Sequence, residues 1–143
     1  MNGAALLGIV SVIGIALAFM AQPPSILPFA GAASSARVCL AALMSEFGWS
    51  GDVAEGKSRI GKYSGARGDT HVFASRSGFT ECRVVDNRVM WRTPRRRWRD
   101  NPYFDTTLTY RAAGDAIEIT SVWGDGTSKV ESYSENLLAQ HTR

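Results

Sequence analysis

The segment FTECRVVDNRVMWRT, residues 79–93, predicts a β-hairpin with one dry face and one charged face. A two-residue turn at 86–87 would place four apolar side chains on one side, with Val84 opposite Val89 and Cys82 opposite Trp91. The other side then holds the charged side chains Glu81, Arg83, Arg88 and Arg92, with Val85 and Met90 as apolar exceptions. Because side chains alternate along a strand, this single register sorts the whole hairpin.

Alternation of apolar and polar residues continues along the chain and predicts six strands. Their bounds are residues 70–75, 79–85, 88–93, 105–112, 115–123 and 127–133. Short turns separate most of them, at Ser77-Gly78, Asp86-Asn87, Ala113-Gly114 and Asp125-Gly126. Strands joined by such short turns form an antiparallel meander.

Two of the later turns give further expectations about register. A two-residue turn at 113–114 would create a second apolar face, with Tyr110 opposite Ile117 and Leu108 opposite Ile119. The dipeptide at 125–126 is Asp-Gly, which predicts a two-residue type I′ turn because both residue types tolerate positive φ.

An amphipathic helix over residues 36–47 is predicted to cover the dry face of the sheet. Ser34 or Ser35 is its candidate N-cap, and Gly48 ends it. The predicted fold class is therefore α+β: an N-terminal helix packed on an antiparallel β-meander of five or six strands, preceded by an apolar segment.

Two flanking regions complete this picture. Residues 50–68 contain five glycines and little apolar content, so they are predicted to form a long surface loop that Ile60 and Tyr63 anchor. The segment SENLLAQH, residues 134–141, predicts a last short helix.

The chain has two cysteines, Cys39 in the predicted helix and Cys82 in the predicted hairpin. In an oxidising compartment they would form one disulfide, which in the chain-entropy treatment stabilises by about 3–4 kcal/mol. The alternative, two buried free thiols, holds if the domain stays in the cytoplasm. The sequence predicts neither a metal site nor a cofactor.

Residues 1–33 are predicted to be a segment that targets the protein to a membrane. The run from Ala4 to Ala21 has no charged side chain, and prolines 23, 24 and 28 follow at once. As a secretory signal it would be cut before Ala33; as a membrane anchor it is at the short end of the length that spans a bilayer. Both interpretations leave residues 34–143 as a single small domain outside the cytoplasm, either periplasmic or secreted, or tethered by residues 4–21.

The net charge of +3 is unevenly distributed. Residues 57–99 hold twelve basic against three acidic side chains, and thirteen of the sixteen basic residues are arginine. Arginine's planar fork suits phosphate and carboxylate partners, although a GC-rich coding sequence would give the same bias.

These arginines and one tryptophan form the candidate binding site, which comprises Arg83, Arg88, Arg92, Arg95, Arg96, Arg97, Trp98 and Arg99. Cationic groups with an aromatic ring between them are the usual means of gripping a polyanion. Outside the cytoplasm the expected partners are anionic lipid, polysaccharide such as lipopolysaccharide, or an acidic protein surface, whereas nucleic acid is disfavoured. A solvated loop whose arginines pair with the acidic C-terminal half is the competing interpretation.

The sequence therefore favours a non-enzymatic, exported interaction module. Two alternatives stay open: a small extracytoplasmic hydrolase or lyase that uses His71, and a single-pass accessory subunit whose residues 4–21 pack against other membrane helices. The tripeptide Arg67-Gly68-Asp69 resembles integrin-binding loops, but a three-residue match in a chain rich in arginine and glycine is expected by coincidence.

Overall fold

The structure, a computed structural model, describes residues 32–48, 60–75 and 78–143. They form two helices and seven strands, in the order α1 (Ala32–Phe47), β1 (Lys62–Arg67), β2 (Thr70–Ser75), β3 (Gly78–Val85), β4 (Arg88–Arg92), β5 (Thr107–Ala113), β6 (Ala116–Val122), β7 (Ser128–Ser134) and α2 (Glu135–His141). The predicted apolar segment at residues 4–21 lies outside the described residues. Within the described ranges, no helix combines the length and apolar character needed to cross a bilayer.

The seven strands form one antiparallel sheet in which each strand pairs with its neighbours in the sequence. The predicted α+β meander is confirmed, but the expected count of five or six strands is wrong. The additional strand is β1, which lies where a surface loop was expected. Its residues KYSGAR lack the alternation of a half-buried strand because only Tyr63 packs on the core, and the pairing shifts at a bulge between Tyr63 and Gly65.

The central hairpin has the predicted register. Val84 pairs with Val89 and Cys82 with Trp91 across the two-residue turn at 86–87. Asp86 adopts a φ of 54°, a left-handed conformation that Asp tolerates better than most residues. The sheet therefore has a dry face, which bears Cys82, and an open face, which bears Arg83.

The register predicted for β5 and β6 is wrong by two residues. Tyr110 pairs with Ile119 rather than Ile117, and Leu108 pairs with Ser121, because the turn residues are Gly114 and Asp115. Gly114 has a φ of 62° and Asp115 has no positive φ, which is the pattern of a type II′ turn, whose first position prefers glycine. A shift of two residues preserves the alternation, so the apolar side chains still share the dry face.

The β6–β7 hairpin is present, but its predicted two-residue type I′ turn is wrong. The backbone N–H of Trp123 donates to the carbonyl of Thr127 at 2.9 Å, and the N–H of Gly126 donates to the carbonyl of Trp123 at 2.9 Å. Only Gly126 of the loop has positive φ, at 86°. This is a three-residue loop that ends in a left-handed glycine, the next most common hairpin connection.

Helix α1 lies across the dry face. Residues 38–44 are all buried, and the disulfide between Cys39 and Cys82 links this helix to strand β3, as predicted. The hydroxyls of Ser45 and Ser121 are 3.0 Å apart, which adds a buried hydrogen bond between helix and sheet. The helix begins four residues earlier than predicted, so Ser34 and Ser35 lie inside it and neither is the N-cap.

The predicted short helix over residues 134–141 is present as α2, which begins at Glu135, one residue later than predicted. The Ser134 hydroxyl accepts from the backbone N–H of Leu137 and acts as its N-cap, and Leu138 is fully buried in the same core as α1. Arg37 of α1 forms an ion pair with Glu135 at 2.9 Å, which ties the two helices together.

Candidate functional site

The candidate site centres on the basic loop, residues 93–106, which connects β4 to β5. Its first residues form a turn closed by a hydrogen bond of 3.1 Å from the N–H of Arg96 to the carbonyl of Thr93. Pro94 suits the second position of such a turn, and Arg95 takes the third position with a φ of 64°, where type II turns prefer glycine. The guanidinium groups of Arg95 and Arg96 are exposed and bond to no described residue.

Asp105 holds the rest of the loop in place. Its carboxylate, 4 % exposed, accepts from Arg97 at 2.6 and 3.1 Å and from Arg99 at 3.2 Å. The backbone N–H of Asn101 donates to the same carboxylate at 3.1 Å. The hydrogen bonds from Arg97 are the main cause that lowers the pKa of Asp105 below its usual value. Asp105 was predicted to begin a strand; instead it is the acceptor around which the loop folds.

On the open face, Trp98 packs against two arginines. The guanidinium carbons of Arg83 and Arg92 are each 4.4 Å from the centroid of the Trp98 ring, a cation–π distance. Arg92 also donates to Glu81 at 2.5 Å. Nε of Arg83 is buried and has no hydrogen-bond partner among the described residues. The stack therefore fixes the two guanidinium groups but leaves Arg83 without a carboxylate.

The predicted residues divide between the two sides of the sheet. A bridge between Trp91 and Arg99 runs the loop antiparallel to β4, so its side chains alternate. Arg97 and Arg99 lie on the helix side with Asp105, whereas Trp98 lies on the open face with Arg83 and Arg92. Arg88 donates to the carbonyl of Asp100 at 2.9 Å, which pins the loop to the first residue of β4.

Register places further basic side chains on the open face that sequence reasoning missed. The acidic side chains on this face of the strands are Glu81 and Glu118. The basic ones number six: Lys62, Arg67, Arg83, Arg88, Arg92 and Arg111. Glu118 pairs with Arg111. The alternation of β1 and β5 places these side chains, but the low apolar content of residues 62–67 predicts a loop there rather than a strand.

His71 lies on the dry face rather than in a cleft. It is 2 % exposed, and the Tyr63 hydroxyl is 3.1 Å from its Nδ1. Burial lowers its pKa, an effect that the charge of Asp69 partly opposes. Its neighbour across the sheet is the disulfide cysteine Cys82, so the position is that of a packed core histidine.

Two shallow clefts flank the contact between Phe47 and Trp91, whose ring centroids are 4.8 Å apart. One cleft, of about 280 Å³, includes Glu46. Burial raises the pKa of Glu46, and a hydrogen bond with Thr106 lowers it by a smaller amount. The other, of about 270 Å³, is lined largely by Ser75, Thr80 and aromatic rings. The described residues include no group of three His, Cys, Asp or Glu that would hold a metal ion.

The tripeptide Arg67-Gly68-Asp69 occupies the tight turn between β1 and β2. Arg67 pairs with Thr70, and Gly68 has a φ of 62°. The glycine is thus explained by the turn that it forms.

Fold and surface together define a small, disulfide-linked α+β domain in which one face of the sheet is covered by a helix and the other, on which no described helix packs, bears arginines. Comparison with protein-family models, with curated proteins and with solved structures finds no match for this chain. Its function must therefore be argued from the site itself.

Proposed function

We propose that this protein is a non-enzymatic interaction module that works outside the cytoplasm and uses its arginines to contact an anionic surface or an acidic protein. One observation carries the proposal. Arg92, Arg97 and Arg99 each pair with a carboxylate. The four other arginines of the candidate site have no carboxylate partner among the described residues: Arg83, Arg88, Arg95 and Arg96.

The distribution of pairs supports this over a merely solvated loop. Glu81 and Asp105 serve to position Arg92, Arg97 and Arg99, so these pairs give the loop its shape. Arg83 and Arg88 are held by the Trp98 ring and by the carbonyl of Asp100, whereas Arg95 and Arg96 project from the turn of the loop. A cation that is held in place loses less conformational entropy when it meets a phosphate or carboxylate, which favours binding.

The disulfide supports an extracytoplasmic location, because such bonds persist in oxidising compartments and are rare in the cytosol. A membrane tether through residues 4–21, and the accessory-subunit alternative that depends on it, concern residues outside the described ranges. The buried position of His71 argues against its use as a general base, since a substrate would have to displace Tyr63 or the helix to reach it.

The test is binding to two soluble polyanions, polyphosphate and polyglutamate, measured by calorimetry at low ionic strength. The variant R88Q/R95Q/R96Q removes three cations of the site that pair with no described carboxylate. The matched control K62Q/R67Q/R143Q removes the same charge from exposed positions that pair with no described carboxylate, and Lys62 and Arg67 lie on the edge strand β1, two strands away from the β3–β4 hairpin. We expect the site variant to lose at least about tenfold in affinity and the control about twofold or less.

Equal losses in the two variants would mean that net charge alone attracts the polyanion, and the proposal would fail. Preference for one probe would identify whether phosphate or carboxylate is the better ligand. Circular dichroism of each variant checks that the fold is retained.

A further inference from the structure

Exposed aromatic rings concentrate at one end of the sheet. Six large apolar side chains among the described residues are exposed, and four of them are aromatic. These four lie at the end of the sheet where β4 ends and β5 begins: Phe79 (52 % exposed), Tyr103 (83 %), Phe104 (80 %) and Trp123 (38 %). The antiparallel pairing places the start of β3, the basic loop and the β6–β7 hairpin together at this end. We call these four residues the aromatic rim.

The two most exposed rings are held in an ordered turn. The side-chain oxygen of Asn101 accepts from the N–H of Tyr103 at 2.9 Å, and the Asn101 carbonyl accepts from Phe104 at 3.2 Å. The carbonyl of Tyr103 lies 3.0 Å from the point where a Cβ on Gly124 would sit, so this turn packs against the β6–β7 hairpin. Their exposure is a feature of a fixed loop, and it costs free energy in water.

The same loop carries the exposed cations Arg95 and Arg96. The bidentate ion pair between Arg97 and Asp105 joins the two halves of the loop. Arg96 directly precedes Arg97 and Phe104 directly precedes Asp105 in the sequence, so the ion pair brings these two backbone positions close together. The basic loop has four arginines against two aspartates. At the opposite end of the sheet, the three tight turns each include an aspartate: Asp69, Asp86 and Asp115.

Resting on the proposed anion-binding function, we propose that the aromatic rim and the basic loop form a site for the surface of a bilayer that contains anionic phospholipids. Tyr103 and Phe104 enter the interface between headgroups and acyl chains, while Arg95 and Arg96 bind lipid phosphates. Aromatic side chains favour this interface, and basic residues near an anionic leaflet add to the attraction.

An acidic protein partner fits these observations less well. Anchors at protein interfaces are surrounded by surface that seals them from water, and their energy comes from filling fitted pockets. Here the rings project by about four-fifths of their surface from a narrow loop. A projecting loop with apolar tips and flanking arginines suits a deformable partner such as a lipid headgroup layer.

The experiment is co-sedimentation of the protein, purified in the form its host makes, with two kinds of vesicle: phosphatidylcholine alone, and an equimolar mixture with phosphatidylglycerol. Y103S/F104S tests the rings, with V130S as an exposed apolar control on β7 that is 60 % accessible. R95Q/R96Q tests the cations, with R67Q/R143Q as the charge-matched control.

We expect binding to the mixed vesicles, a loss of at least about tenfold for Y103S/F104S, and a loss of about thirtyfold for R95Q/R96Q. The two controls should bind as the unchanged protein does. If neither test variant differs from its control, residues elsewhere drive any vesicle binding and the proposal is overturned.

Failure of this inference is distinguishable from failure of the proposed function. A protein that binds polyphosphate or polyglutamate through its arginines but ignores mixed vesicles keeps the anion-binding function and loses the lipid assignment. In that outcome, retention of polyglutamate binding would favour an acidic protein partner. Vesicle binding that Y103S/F104S leaves intact would also overturn the inference, because the two rings would then contribute nothing to it.

Discussion

Replacement of Asp105 should remove the hydrogen bonds that hold the basic loop in place and so destabilise the fold. The carboxylate receives two hydrogen bonds from Arg97, one from Arg99 and one from the backbone of Asn101, at distances of 2.6 to 3.2 Å. Hydrogen bonds to a charged group contribute about 1.5–3 kcal/mol when desolvated, but both guanidinium groups here are about half exposed, so solvent screening reduces their share. We expect D105A to lower the free energy of unfolding by about 2–3 kcal/mol and D105N by about 1–2 kcal/mol.

The contribution of Asp105 should depend on pH in a defined direction. Its folded-state pKa lies below the ordinary value of 3.8, so the carboxylate stabilises the fold above that value and this stabilisation is lost as the pH falls through the folded pKa. Urea unfolding of the native protein and of D105N should therefore differ by a constant amount at neutral pH. The difference should shrink as the pH is lowered below 3.8.

D100N is the matched control, since Asp100 is exposed in the same loop and its carboxylate, although its charge acts on Arg97, makes none of the hydrogen bonds described. It should change stability by less than about 0.5 kcal/mol. Equal stability of D105N and the native protein at neutral pH would refute the reasoning. So would a difference between them that persists unchanged in acid.

Two further predictions concern the scaffold. The disulfide closes a loop with a sequence separation of 43, so C39A/C82A should lose about 4 kcal/mol of unfolding free energy by the chain-entropy estimate, measured by urea denaturation; an unchanged midpoint would contradict it. At Gly61, where φ is +76° and a Cβ would lie 2.3 Å from the carbonyl oxygen of Ala74, alanine should destabilise by more than about 2 kcal/mol. The control G114A, with φ of +62° and nothing within 4 Å, should cost about 1 kcal/mol in the same assay, and similar values for both variants would show that the close approach is tolerated.

Sequence reasoning succeeded where alternation and turn chemistry agree. The 79–93 segment has clear alternation around Asp86-Asn87, so register, dry face and disulfide partner all followed from one assumption. It failed at the next hairpin because Ala113-Gly114 and Gly114-Asp115 both read as turns, and alternation does not distinguish two registers that share a parity.

Strand β1 and the role of Asp105 were missed for a different reason. The residues of β1 have weak strand propensity, and the strand is held by pairing with β2, a long-range effect that local pattern does not encode. Asp105 lies just before the alternating residues of β5, so the sequence pattern assigns it to that strand. Its partners Arg97 and Arg99 come close to it only because the loop folds back along β4. The arginines of the site were identifiable by composition; their division between two faces was not.

The account depends on the domain working where disulfides persist. The most direct test is the intact mass of the protein isolated from its native host under conditions that trap free thiols. We predict a mass lower by two hydrogens than the reduced chain and no labelled cysteine, whether or not residues 1–32 have been removed. Recovery of the protein from the cytosol with Cys39 and Cys82 both labelled would contradict the account.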